Sequence, residues 1–238
     1  MSRAGDESFW GIGLPSMFMS LGQQPAGTST DVSASVIGRT GRGERLGAGL
    51  GWWWHTPEDT LDKMDPQILV RDTRVYVHAV FRLLTDPVLP LDYAEHAGYL
   101  LETLAELGQG LDGRFDLEPL VSRAETLRSK ASALRARAAQ VHDGQADRIN
   151  QALMAVSRAL VPVDYTSGDR FDHDPALPQQ AYPALQKLRR LAALETESDE
   201  ARFLSVAMVR ARNRVCHALD QAVDALDRCL GANTGGAR

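Results

Sequence analysis

The chain lacks most of the features that would tie it to a membrane, a nucleic acid or a disulfide scaffold. None of its 238 residues belongs to an apolar stretch of 18 or more, so no segment reads as a membrane-spanning helix. There is no basic run of five or more residues and the formal net charge is -5, which argues against a nucleic-acid partner. Met1-Ser-Arg-Ala-Gly-Asp6 has no apolar core and does not read as a secretory leader. Only two cysteines occur, Cys216 and Cys229, 13 positions apart on one predicted helix. At about 1.5 Å per residue they stand roughly 20 Å apart, beyond disulfide reach. They read as packing residues and carry no information about compartment.

What is present is ordinary globular material. The chain is 44% hydrophobic and 24% charged, enough apolar residue for a packed core in one large or two modest domains. Residues 9–13 read as a turn or short helix, and Pro15-Ser-Met-Phe-Met-Ser20 as a short strand. Residues 22–51 are rich in Gly, Ser and Thr, including Gly38-Arg-Thr-Gly-Arg-Gly43. A phosphate-binding glycine loop follows a strand and opens a helix; neither flank is present, so a flexible loop is the better account.

The densest cluster of chemistry-bearing residues is Gly51-Trp-Trp-Trp-His-Thr-Pro-Glu-Asp59. An imidazole at the rim of an apolar wall, with a carboxylate four residues on, suits His55 as a metal ligand oriented by Asp59. The alternative is a histidine packed beside tryptophans and hydrogen-bonded by Asp59. Asp65-Pro66 then opens a helix, Asp as cap and Pro at the first helical position. Ile68, Val75, Tyr76, Val80 and Leu84 are expected on its buried face, and Asp86-Pro87 ends it.

The rest reads as helix. Asp92 with Glu95 forms a capping box before the stripe Ala97, Leu101, Leu104 and Leu107. Asp116 caps the next helix, with apolar residues at Leu120, Ala124, Leu127, Ala131, Leu134, Ala138 and Val141. Ile149, Leu153, Val156 and Leu160 continue the spacing after Gly144. Leu204, Met208, Ala211, Val215, Ala218, Ala222, Ala225 and Cys229 repeat it in the last helix. This 4-3 spacing keeps each set on one seam and predicts a four-helix bundle packed nearly antiparallel. One long interruption lies between Val161 and Pro183. Its Asp169, Asp172, His173 and Asp174 match no standard calcium loop.

The segment Trp54-His-Thr-Pro-Glu-Asp-Thr-Leu-Asp-Lys-Met-Asp65 resembles the closing motif of the co-catalytic zinc metallopeptidases of the aminopeptidase and glutamate carboxypeptidase type. Three further patches resemble that family in the same order: Gly5-Asp-Glu-Ser-Phe9 with Gly13-Leu-Pro-Ser16, Leu89-Pro-Leu-Asp-Tyr-Ala94, and Tyr165-Thr-Ser-Gly-Asp-Arg-Phe-Asp-His-Asp174 with Tyr182-Pro183. The last two resemble the transferrin-receptor-like branch, at the start of its helical dimerisation domain and in its long inserted loop. The resemblance implies an α/β remnant over residues 1–89, the edge of a zinc-exopeptidase sheet with its long helix, and an all-α four-helix-bundle dimerisation domain over 90–238.

It also implies zinc as cofactor in the complete enzyme, His55 as the last zinc ligand and Asp59 behind it. Trp54 stands on the substrate side, where many relatives carry Tyr. Arg170 and His173 lie in the loop that contacts substrate or the partner subunit in that branch. The remaining ligands and the general-base glutamate have no counterpart here, and one histidine cannot make a zinc site. The expectation is a C-terminal portion of a zinc-dependent exopeptidase, a homodimer, inactive as this chain alone; its substrate in the complete enzyme is a peptide. The alternative is a non-catalytic dimerisation module descended from such an enzyme. Relatives are often secreted; this chain leaves its compartment open.

Overall fold

A computed structural model describes residues 9, 11–15, 56–141, 145–168 and 180–231. All regular structure among them is helical, with no strand. The expected α/β remnant is therefore corrected. Phe9 and residues 11–12 are in 3-10 conformation, Leu61–Lys63 is one 3-10 turn, and the next element is the long helix α1, Pro66–Thr85. Residues 16–20, where a strand was expected, lie outside the described residues.

The chain divides into two compact units, one holding 1–5, 16–86 and 175–179, the other 6–15, 87–174 and 180–238. In the first unit, α1 starts as its sequence dictates. Asp65 accepts hydrogen bonds from Gln67 N at 2.8 Å and Ile68 N at 3.3 Å, with Pro66 where no N–H is needed. No residue of α1 is buried, and the face expected to be covered is open: Ile68, Val75, Tyr76, Val80 and Leu84 are all exposed. Periodicity identified the apolar side correctly, but periodicity does not supply a covering surface.

The second unit is a bundle of four long helices: α2 (Tyr93–Gly108), α3 (Glu118–Ala138), α4 (Ala146–Tyr165) and α6 (Asp199–Gly231), with the short α5 (Leu188–Ala193) beside α6 and α2. Asp92 caps α2 through Ala94 N at 3.0 Å and Glu95 N at 3.2 Å, and Asp116 accepts from Glu118 N at 2.9 Å. α2 packs on α3, α3 on α6, and α6 on α4. The core is drawn from the 4-3 stripes: Leu120, Ala124, Leu127, Ala131 and Leu134 of α3 lie against Met208, Val215, Ala218, Ala222 and their neighbours in one continuous cluster. The alanines let the helix backbones approach closely, and the leucines fill the layers between them.

Two features depart from the stripe reading. Leu100 is fully covered beside Leu104 and Leu107 where Leu101 was expected, because α2 meets α5 as well as α3 and buries a wider arc. Tyr182, expected in the long loop, is a core residue at 1% exposure and holds a positive φ of 51°. Gly13 has φ +81° and lies so near α4 that a Cβ there would fall 2.3 Å from Arg158 Cα. That close approach requires glycine.

Candidate functional site

Of the residues singled out from sequence, Trp54, His55, Arg170 and His173 lie outside the described residues. Asp59 is described: it sits exposed in a turn, its N–H donating to Thr56 O at 3.1 Å. Among the described residues no group of three or more His, Cys, Asp or Glu side chains is placed to hold a metal. The described residues therefore do not fit a zinc site by themselves, and any such site would draw on His55 and on groups beyond them.

Two other places stand out. The first is α1. At about 100° per residue, its apolar positions Ile68, Leu69, Val70, Val75, Tyr76, Val77, Ala79, Val80, Phe81, Leu83 and Leu84 sweep about two-thirds of the circumference. The remaining third carries Gln67, Arg71, Arg74, His78, Arg82 and Thr85, and Asp72 and Thr73 interrupt the apolar arc. Arg71 pairs with Asp72 at 2.6 Å and Arg82 with Asp86 at 2.8 Å, both at the surface. A single-layer contact needs a stripe only somewhat wider than 100°. The exposed apolar arc of α1 is broader than that.

The second is the seam between α2 and α4, which sequence reasoning missed. These helices do not approach closely along their length, and polar side chains cross the gap. Asn150 of α4 clamps the entry to α2, donating to Pro87 O at 2.8 Å and accepting from Leu89 N at 2.8 Å. The buried Tyr93 hydroxyl pairs with Ser157 Oγ, which also donates to Leu153 O at 3.1 Å. Burial pushes the Tyr93 phenol up to about 12, with the Ser157 bond partly offsetting it.

Further along, His96 Nε2 lies 3.3 Å from Asp164 Oδ1 and 3.3 Å from the Tyr182 hydroxyl. Asp164 is 8% exposed, and Oδ1 receives no well-directed hydrogen bond among the described residues. Burial pulls His96 down, but the contact and charge of Asp164 outweigh it and leave the imidazole above its ordinary value. Burial raises the Asp164 carboxyl, and His96 offsets only part of that rise. The pair is separated by 68 positions, so spacing carried no signal. The only hint was a histidine one place off an apolar stripe.

A groove of about 250 Å³ between α4 and α6 is floored by Ala152, Ala155 and Ala225 and rimmed by Arg148, Gln151 and Arg228. Its arginine has a structural account. Arg148 donates to Arg228 O at 3.1 Å and Arg137 to Cys229 O at 3.1 Å, so two guanidiniums satisfy carbonyls at the C-terminus of α6.

No family model, no characterised protein and no solved structure matches the chain. What the described residues define is a helical bundle together with an amphipathic helix whose apolar side is exposed.

Proposed function

We propose that this chain is the partner-binding C-terminal portion of a zinc-dependent exopeptidase of the aminopeptidase or glutamate carboxypeptidase type, contributing dimerisation and not a catalytic centre of its own. The observation that carries the partner-binding half is α1: twenty residues, none buried, with an apolar arc too wide for a solvated helix. A helix this rich in β-branched and aromatic residues draws little stability from propensity, so its stability calls for a covering surface. In this reading the cover is a second copy of the chain. The bundle supports the same reading from the other side, because its core is complete and offers a rigid platform that assembly need not build.

The peptidase half rests on the resemblance of residues 54–65 and of the three patches in order. His55 stands as the last zinc ligand, with Asp59 behind it and Trp54 toward the substrate. The described residues do not complete that site, so no chemical step is assigned to them. Two measurements test the assignment. Supplied with zinc, the chain alone is expected to release no amino acid from either end of peptide substrates; zinc-dependent turnover by this chain would overturn it. In the complete enzyme, His55→Ala is expected to abolish turnover while helical content is retained, and turnover near the parent level would remove His55 from the metal site. A stand-alone dimerisation module is the second reading, favoured by the self-contained core. It applies if no catalytic partner chain supplies the missing ligands.

A further inference from the structure

The α2–α4 seam is built differently from the other contacts of the bundle. Elsewhere the long helices meet through an apolar core with ion pairs at its edges; here they are joined across a wider gap by hydroxyls, an amide, an imidazole and a carboxylate. At one end of that gap three parts of the fold converge on one nitrogen. His96 comes from α2, Asp164 from the last turn of α4, and Tyr182 from the turn that leads to α5. The backbone reinforces the junction: Tyr182 N donates to Asp164 O at 3.2 Å, and Thr166 N to Pro162 O at 3.0 Å. We propose that His96 and Asp164 share one proton that fastens this corner of the bundle, making it a pH-operated latch, closed at neutral and mildly acidic pH and loosened as the pH rises.

The charges decide the direction. With the proton present, imidazolium faces carboxylate and the pair is neutral as a whole. Without it, a nearly enclosed carboxylate is left beside a neutral ring, with no well-directed donor for Oδ1 among the described residues. A buried charge in that condition is relieved by letting water in, which separates α2 from the end of α4. The groups facing the pair do not take over its role. From α2 they are Tyr93, its ring 5.8 Å from that of His96, and Tyr99, 6.4 Å from the ring of Tyr182. From α4 they are Ser157 and Tyr165, and from the following turn Tyr182. All are hydroxyls; the Tyr93 and Tyr182 phenols are both shifted upward by burial, away from the histidine range. Among the described residues no other carboxylate, lysine or arginine contributes to the field at His96 or Asp164.

The closed state holds its proton more tightly than the open state, because His96 and Asp164 are both raised on folding. For His96 the added stability is complete below the ordinary histidine value of about 6.5 and is lost as the pH climbs through the raised value. For Asp164 the sense is the same, since a raised carboxyl also favours the closed state at lower pH. An opening that releases one proton becomes up to about tenfold more frequent per pH unit across that window, then levels off.

The test uses the full chain. The His96 ring is titrated by NMR, and amide exchange of Thr166 and Tyr182 is followed from mildly acidic to alkaline pH, corrected for intrinsic exchange, with Leu127 as a core reference. Expected are a His96 midpoint above that of a free histidine, Tyr182 exchange that accelerates across it, and unchanged Leu127 protection. Asp164→Asn is expected to bring the His96 midpoint to or below the free value and to flatten the response. A parent midpoint at or below the free value, Tyr182 protection independent of pH, or an Asp164→Asn variant that keeps the parent's response would each overturn the latch. Should that variant fail to fold, the parent titration and exchange profile decide alone.

Discussion

Leu127→Ala tests whether the 4-3 stripe is a packed core or only a pattern. Leu127 is fully covered in the middle of α3, between α2 and α6. Truncation removes three carbons, a transfer loss of about 2–2.5 kcal/mol at about 0.8 kcal/mol per methylene. The hole that remains adds to this. Its stripe neighbours on α3 are short, Ala124 and Ala131, and cannot reach across to refill it. The expected loss is therefore about 3–4 kcal/mol, within the range for leucines in sites that relax poorly. Urea unfolding followed by far-UV circular dichroism reads it as a midpoint lower by about 1–2 M, the slope unchanged. Leu61→Ala, 81% exposed, is the control and should cost less than about 0.5 kcal/mol. A Leu127→Ala loss below about 1 kcal/mol, or one no larger than the control's, would refute the packing described.

Gly13→Ala places a methyl on the backbone of α4 at Arg158, which no side-chain rotation can relieve. At a typical overpacking cost of about 1–3 kcal/mol, residues 11–15 should detach locally, read as lost protection of the Leu14 amide that bonds Phe9 O at 3.2 Å; retained protection would contradict the contact. Arg114 donates to Leu194 O at 2.8 Å and to Ala192 O at the C-terminus of α5. Arg114→Ala should cost about 1–3 kcal/mol by calorimetry, since those carbonyls lose a charged donor, and a change within error would show that water replaces it.

The bundle was readable because each long helix meets its neighbours along one stripe, and repetition of the spacing over 20 or so residues leaves one way to bury it. Helix starts were readable where a short acidic side chain stood at the cap, at Asp65 and Asp92, or one place ahead of it, at Asp116. The same logic misjudged α1: Ile68 and Val80 fall on an apolar side, but the sequence of one helix says nothing about the surface that covers it. The strand expected at Pro15–Ser20 rested on its bounding Pro and Gly, and residues 16–20 lie outside the described residues; the turn or short helix read at 9–13 is in 3-10 conformation at Phe9 and residues 11–12. Tyr182 was assigned to a loop by the resemblance of Tyr182-Pro183 to the family's inserted loop, whereas a positive φ lets that turn fold a large ring into the core. His96 and Asp164 come together only through topology, since neither α2 nor α4 alone shows that their ends converge. Trp54 and His55 carry the clearest chemical pattern and lie outside the described residues.

The assembly claim is tested most directly by light scattering of the full chain at tens of micromolar, run beside Phe81→Glu. Phe81 is 61% exposed on α1, so the substitution should leave the bundle folded. The account predicts a parent mass of twice the 26.0 kDa of one chain and a monomeric variant with unchanged helical content. A parent that stays monomeric across the concentration range, or a variant that dimerises as well as the parent, would contradict it.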